Sequence, residues 1–344
     1  MENFNKEYRY KRQICYDINK YDLVDFNFDG INKKVYKNFN LSIFTDDYCN
    51  ADCKFCVAQL RFENRGQLYN KSKIVDDTEY LKRLEEVLIK VKPLNPSISI
   101  TGGEPTRCKR LIDIIELVNR LGFRKRTITT NGSCLLHTVK GKTILQHLID
   151  NGFAHLNISR AHFDDDINKK IMRFEKGCYC SNEDLSTILP YALKNGLRPR
   201  MSCLLLKEGI SNVKDIVNYL EFYRKLGADN IIFRELMDFD KNNMVNIEKM
   251  NYCTENKVKL NDIWEEFDKE ESLVPYKNIL GYYYYVEIYN YKNVVCVSES
   301  ADLTKLYLEK EKHKDIVYEM VFHPNGNLNG SWVDNEDILL EYKK

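Results

Sequence analysis

No run of about 18 apolar residues occurs anywhere in the 344-residue chain, so no membrane-spanning helix is expected. An excess of one charge is also missing. Against 52 basic residues stand 51 acidic ones, a formal net charge of +1. That balance gives no global attraction to nucleic acid or to an anionic membrane, and neither is expected as a partner. Met1 to Arg12 is polar and charged and lacks the apolar core of a signal peptide, so the expected compartment is the cytoplasm. Thiols stay reduced there, which argues against a disulfide framework for the eleven cysteines. Internal repeats and low-complexity segments are absent as well.

What is present is an alternation. After a polar, aromatic-rich lead-in (residues 1–38), short apolar runs alternate with amphipathic segments. Strands are expected at Leu41–Thr45, Ser97–Thr101, Arg126–Thr130, Ala154–Ser159, Arg200–Leu206 and Asn230–Glu235. Helices are expected near 78–91, 107–121, 142–150, 183–195 and 211–226, with Gly122, Gly152, Gly196 and Gly227 each following one. Strand then helix, repeated about six times, implies a parallel sheet curled into a partial (β/α)6, TIM-like barrel over 39–240. Beyond it, a helix near 257–269 and strand-like runs at Tyr282–Tyr289, Val294–Val297 and Ile316–Phe322 give a C-terminal α+β appendage over 241–344. The tyrosine run Tyr282–Tyr285 reads as a packed strand.

Chemistry concentrates where strands end. Cys49-x3-Cys53-x2-Cys56 follows the first strand, and three thiolates that close can grip one face of a cubane. The fourth iron then lacks a protein ligand and is open to a small molecule. The alternative is a zinc site completed by a remote ligand, in a non-catalytic zinc-binding module. Thr101-Gly102-Gly103-Glu104-Pro105-Thr106 ends the second strand. Its glycines admit close backbone approach and Glu104 offers an acceptor. Thr130-Asn131-Gly132 ends the third strand and Asn157-Ile158-Ser159-Arg160 the fourth. Barrel enzymes place their chemistry at that face.

These motifs resemble the radical S-adenosylmethionine (SAM) superfamily. The resemblance implies one [4Fe-4S] cluster on Cys49, Cys53 and Cys56, and SAM held by Phe55, Gly102, Gly103, Glu104, Thr130, Asn131, Ser159, Arg160 and Met237. It implies a radical enzyme that cleaves SAM reductively and abstracts hydrogen from a substrate. It also implies an electron donor such as flavodoxin or ferredoxin. Arg160, His162, Arg234 and Glu235 are the candidate catalytic or substrate-contacting residues. Asp164 is expected to cap a helix with Ile167 and Ile171 on its buried face. Cys178 and Cys180 could form a redox pair or donate a hydrogen atom, but no role is the favoured reading.

Within the superfamily, the motif order is most similar to the molybdenum-cofactor branch that cyclises GTP. That branch holds the nucleotide with basic side chains on its first, second and fifth strands, which align with Leu41, Ser97 and Met201 here, with Arg200 adjacent. It also carries a second cluster on three C-terminal cysteines, whereas only Cys253 and Cys296 lie beyond Cys203. GTP cyclisation is therefore not expected. A small, nucleotide-like or otherwise polar metabolite is the first substrate class and a ribosomally made peptide the second. The appendage is expected to carry no auxiliary cluster and to shape the pocket.

Overall fold

The computed structural model describes residues 4–11, 22–37, 39–60, 73–239 and 244–343. Six strands form the centre: β1 (Asn40–Phe44), β2 (Ser97–Thr101), β3 (Arg126–Thr130), β4 (His155–Ser159), β5 (Arg198–Leu204) and β6 (Asn230–Arg234). Each pairs parallel with the next. The connecting helices include Asp77–Val91, Leu111–Arg120, Ile144–Asp150, Asn182–Lys194 and Val213–Lys225. The expected partial barrel is therefore present. The helix expected from 107 starts at Leu111, because Pro105–Arg107 forms a 3-10 turn.

Strand parity decides which side chains meet the ligand space. Leu41, Ile98, Ile128, Leu156, Met201 and Phe233 point outward and share one core with Leu84, Val87, Ile115 and Leu189 of the helices. In Asp77–Val91 the buried positions are Tyr80, Leu84, Val87, Leu88 and Val91, one face of a helix. Each leucine and valine among them contributes roughly 1.5–3 kcal/mol on burial. That helix starts where the Asp76 carboxylate accepts from the Glu79 amide at 2.8 Å. The alternate positions on the strands are small and polar: Ser42, Ser99, Thr129, Asn157 and Ser202.

The C-terminal third continues the same sheet. β7 (Val274–Leu280), β8 (Tyr284–Tyr291), β9 (Val294–Ala301), β10 (Met320–Phe322), β11 (Leu328–Asn329) and β12 (Ile338–Leu340) complete twelve strands in the order β7-β8-β9-β6-β5-β4-β3-β2-β1-β10-β11-β12. β9 lies parallel to β6 and β10 parallel to β1, so this segment flanks the barrel on both edges. The helix expected near 257–269 is Leu260–Phe267, and a helix that was not expected, Ile247–Asn256, precedes it. A further helix, Leu303–Lys312, was not expected. The lead-in contains a hairpin, Leu23–Phe28 with Ile31–Tyr36, whose second strand pairs with Ile316–Val317. No helix among the described residues is long and apolar enough to cross a membrane.

Candidate active site

The loop after β1 carries Cys49, Cys53 and Cys56, all half-buried. Its shape comes from backbone bonds to neighbouring segments. The Asp52 amide donates to the Arg173 carbonyl (3.0 Å) and the Lys54 amide to that of Ile171 (3.2 Å). Burial pushes the Cys53 thiol well up, and the neighbouring Cys56 and Cys49 add to that shift, so the three sulfurs share one region. Burial likewise raises Cys56. Thiols in this setting stay protonated unless a metal holds them as thiolates. Three of them on one short loop, with no fourth cysteine on it, fit the three-iron face of a cubane.

The turn after β2 is sewn onto that loop. The Gly103 amide donates to Asp46 O and the Glu104 amide to Tyr48 O, each at 2.8 Å. A Cβ at Gly102 would come 2.6 Å from Thr45 Oγ1, and one at Gly103 would strike the Tyr48 carbonyl. Only glycine permits this approach. Glu104 is buried, and its carboxylate accepts from the Thr106 amide (2.9 Å), Thr106 Oγ1, Thr130 Oγ1 and the Asn131 amide (2.7 Å). Burial raises its pKa while these donors pull it back down. Glu104 thus ties the second motif to the third.

Sequence reasoning passed over Asn50, a residue between the first two cysteines. It is fully buried; its Oδ1 accepts from Asn131 Nδ2 (2.9 Å), and its Nδ2 donates to Ser133 Oγ (2.9 Å). It joins the cluster loop to the end of β3. One asparagine between the cysteines of a motif carries no composition signal for such a role. Ser159 ends β4, beside Ser202 of β5. Phe55 packs in a small apolar cluster with Ala161, Leu206 and Leu236.

Two candidates take other roles. The Arg160 guanidinium is 1 % exposed and donates to Tyr223, Tyr179, Cys180 O, Asp165 and Asn182. All its nitrogens are engaged, which leaves none for a SAM carboxylate or a substrate. His162 Nδ1 accepts from the Asp164 amide (2.9 Å), and its ring stacks on Phe163. Burial lowers its pKa, and it shapes the turn before the helix. Asp164 caps that helix, accepting from Asp166 and Ile167 amides; Ile171 is buried, but Ile167 is 39 % exposed. Cys180 is buried, with its thiol pushed up to about 12 by burial.

Arg234 and Glu235 point to opposite sides. Arg234 faces the lumen, bonded to Ser202 Oγ (2.6 Å) and Glu299 (3.0 Å). Glu235 is buried, 3.6 Å from the Lys257 ammonium. The alignment to Leu41 and Met201 also needs correction. Both face the helices, and the inward neighbours are Asn40, Ser42, Arg200 and Ser202. Arg200 turns inward and donates to Asn230 Oδ1 (2.7 Å); burial, then the nearby Arg234, lowers its pKa.

A cavity of about 510 Å³ opens beside this site. Its lining includes Val57, Gly102 and Met237 together with Tyr282, Tyr283, Tyr307, Tyr318 and Trp332. Tyr282, Tyr283 and Tyr284 thus line a chamber instead of packing a strand interior; of the run, only Tyr285 is buried in the sheet core. Much of the chamber's lining comes from the C-terminal third, joined by Tyr36 and Phe39.

Residues 43–220, just over half of the chain, match the profile of the radical SAM superfamily. The chain belongs to the radical SAM superfamily. It is accordingly an enzyme whose cofactors are a [4Fe-4S] cluster and SAM, which sets aside the zinc-module reading. It is 29 % identical over 203 residues to molybdenum cofactor biosynthesis protein 1 of Drosophila melanogaster, covering 59 % of this chain and 32 % of that protein. It is 26 % identical over 202 residues to a probable GTP 3′,8-cyclase of Sulfurisphaera tokodaii, covering 57 % and 56 %. The matched segment thus spans between a third and somewhat over half of these relatives. The fold is similar to that of Streptococcus suis SuiB, with a TM-score of 0.51 and 17 % identity over 86 % of this chain and 60 % of that one.

Proposed function

We propose that this enzyme holds a single [4Fe-4S] cluster on Cys49, Cys53 and Cys56 and uses it to abstract hydrogen from a small organic substrate seated in the aromatic chamber. When bound, the cluster and SAM supply a 5′-deoxyadenosyl radical, after one electron from a donor such as flavodoxin or ferredoxin. The chain's own residues supply position. Gly102, Gly103, Thr130, Asn131, Ser159 and Met237 surround the SAM seat. Glu104 and Asn50 fix that seat relative to the cysteine loop. The tyrosines and Trp332 exclude water and pack an apolar or planar part of the substrate.

The observation that carries this reading is the continuity of the chamber. Thr101 and Gly102 of the motif that ends β2 and residues of the C-terminal segment form its wall together. Lys310, the one cation among the described residues of its lining, is already bonded to Glu319 and Gly330 O, each at 2.8 Å. A triphosphate finds no free cation among the described residues of that wall.

GTP cyclisation stands as a second reading. The names of the relatives favour it, and so does Arg200, whose inward register removes part of the case against it. Anaerobic incubation of the reconstituted, reduced enzyme with deuterated GTP separates the two. The first reading expects slow SAM cleavage, unaccelerated by GTP, and no label in 5′-deoxyadenosine. Deuterium in 5′-deoxyadenosine together with a cyclised purine would establish the second.

A further inference from the structure

Lys249 sits in the first turn of the helix Ile247–Asn256, where Asn246 caps its amide at 3.1 Å. Lysine is seldom buried. This one is 6 % exposed, and its ammonium lies on the cysteine loop, 2.7 Å from Cys53 O and 2.9 Å from Asp52 Oδ1. Cys253, one turn along the same helix, and Cys53 on the loop belong to one small apolar cluster with Phe55 and Phe174. Compensation is partial. Asp52 is about a third exposed and shares its charge with Arg173 at 3.6 Å.

Loop geometry alone does not call for a cation here. The loop is already tied by the bonds from Asp52 and Lys54 amides and by Cys56 N to Cys53 O (3.1 Å). Burying an ammonium costs several kcal/mol before pairing, so a neutral donor would hold the same carbonyl with less penalty. What a fixed positive charge adds is a field. It acts through a low-dielectric layer on whatever Cys49, Cys53 and Cys56 ligate, and it favours the form with one more electron.

We propose that Lys249 is a positioning residue that raises the reduction potential of the cluster and so eases the electron transfer that starts the reaction. One electron from an external reductant enters the cluster, and no bond is made or broken in this step. The inference rests on the cluster reading above, and iron analysis tests that reading separately.

The test is an anaerobic redox titration of the reconstituted full chain with dithionite, followed by the electron paramagnetic resonance of the reduced cluster. Wild type, Lys249→Arg and Lys249→Met are compared at equal iron content. Lys249→Met should shift the reduced-to-oxidised ratio tenfold toward oxidised at a fixed potential, a midpoint about 59 mV lower for one electron. Lys249→Arg should stay within threefold of wild type. An iron-loaded Lys249→Met with an unchanged midpoint overturns the proposal. If that variant fails to load iron, Asp52→Asn carries the test. It leaves the ammonium uncompensated and should shift the ratio at least threefold toward reduced; no shift there also overturns it. Wild type without iron would instead overturn the cluster reading.

Discussion

Glu104 was expected among the residues that hold SAM, and the structure gives its carboxylate a second task. Removing it leaves the Asn131 and Thr106 amides and two threonine hydroxyls short of an acceptor in a buried place. A buried donor stripped of its partner costs ~1–3 kcal/mol. Glu104→Ala should therefore lose about 2–4 kcal/mol of stability in denaturant titration and bind SAM at least tenfold more weakly, with iron retained. Unchanged SAM affinity would remove Glu104 from the cofactor seat. His323 offers a pH effect. It is fully buried with Nε2 3.0 Å from Ser331 O, and burial lowers its pKa to about 4. A base whose folded pKa lies below its unfolded value of 6.5 stabilises the fold above that value. The contribution fades as pH falls from 6.5 toward 4. Wild type should lose stability between pH 7 and 5.5 more steeply than His323→Gln, by up to about one extra proton taken up on unfolding. Parallel pH profiles would contradict this.

At the scale of elements, legibility followed burial contrast. β2 and β3 were read to the residue because Ile98, Ile100 and Ile128 alternate with serine and threonine against a helical layer. β7 was missed because both its faces are largely exposed, and Leu303–Lys312 because Leu306 is its only buried residue. Neither carries the periodicity that a half-buried element imprints. The motifs at the strand ends were legible through their spacing. The error at Leu41 and Met201 was one of parity: a motif alignment slips by one residue easily, and one residue moves a side chain to the other face. The alternation itself, Leu41-Ser42-Ile43, held the correction. Capping was readable too, and its strength can be measured: Asp76→Ala should cost ~1 kcal/mol in denaturant titration, while the exposed Val75→Ala should change little.

For the whole molecule, one cysteine triplet predicts about four irons per reconstituted chain, the content of one [4Fe-4S] cluster. Cys53→Ala should abolish cluster assembly and Cys178→Ala should leave it intact, as read by anaerobic iron and sulfide analysis. Near eight irons in wild type, or unchanged iron in Cys53→Ala, would contradict the assignment. The sequence showed less at this scale. An appendage was expected after Phe239, but not that it would join both edges of the barrel sheet, because a pairing such as Leu41 with Met320 leaves no local trace.

That long-range pairing has a consequence for how the chain is made. β1, which leads into the cysteine loop, leaves the ribosome well before its parallel neighbour β10. Until then an apolar strand that includes Leu41 and Ile43 keeps an unpaired edge, the kind of surface that invites aggregation. Non-local pairings of this sort also fold slowly. During synthesis, the edge from which the cluster loop departs therefore stays open until β10 docks on it.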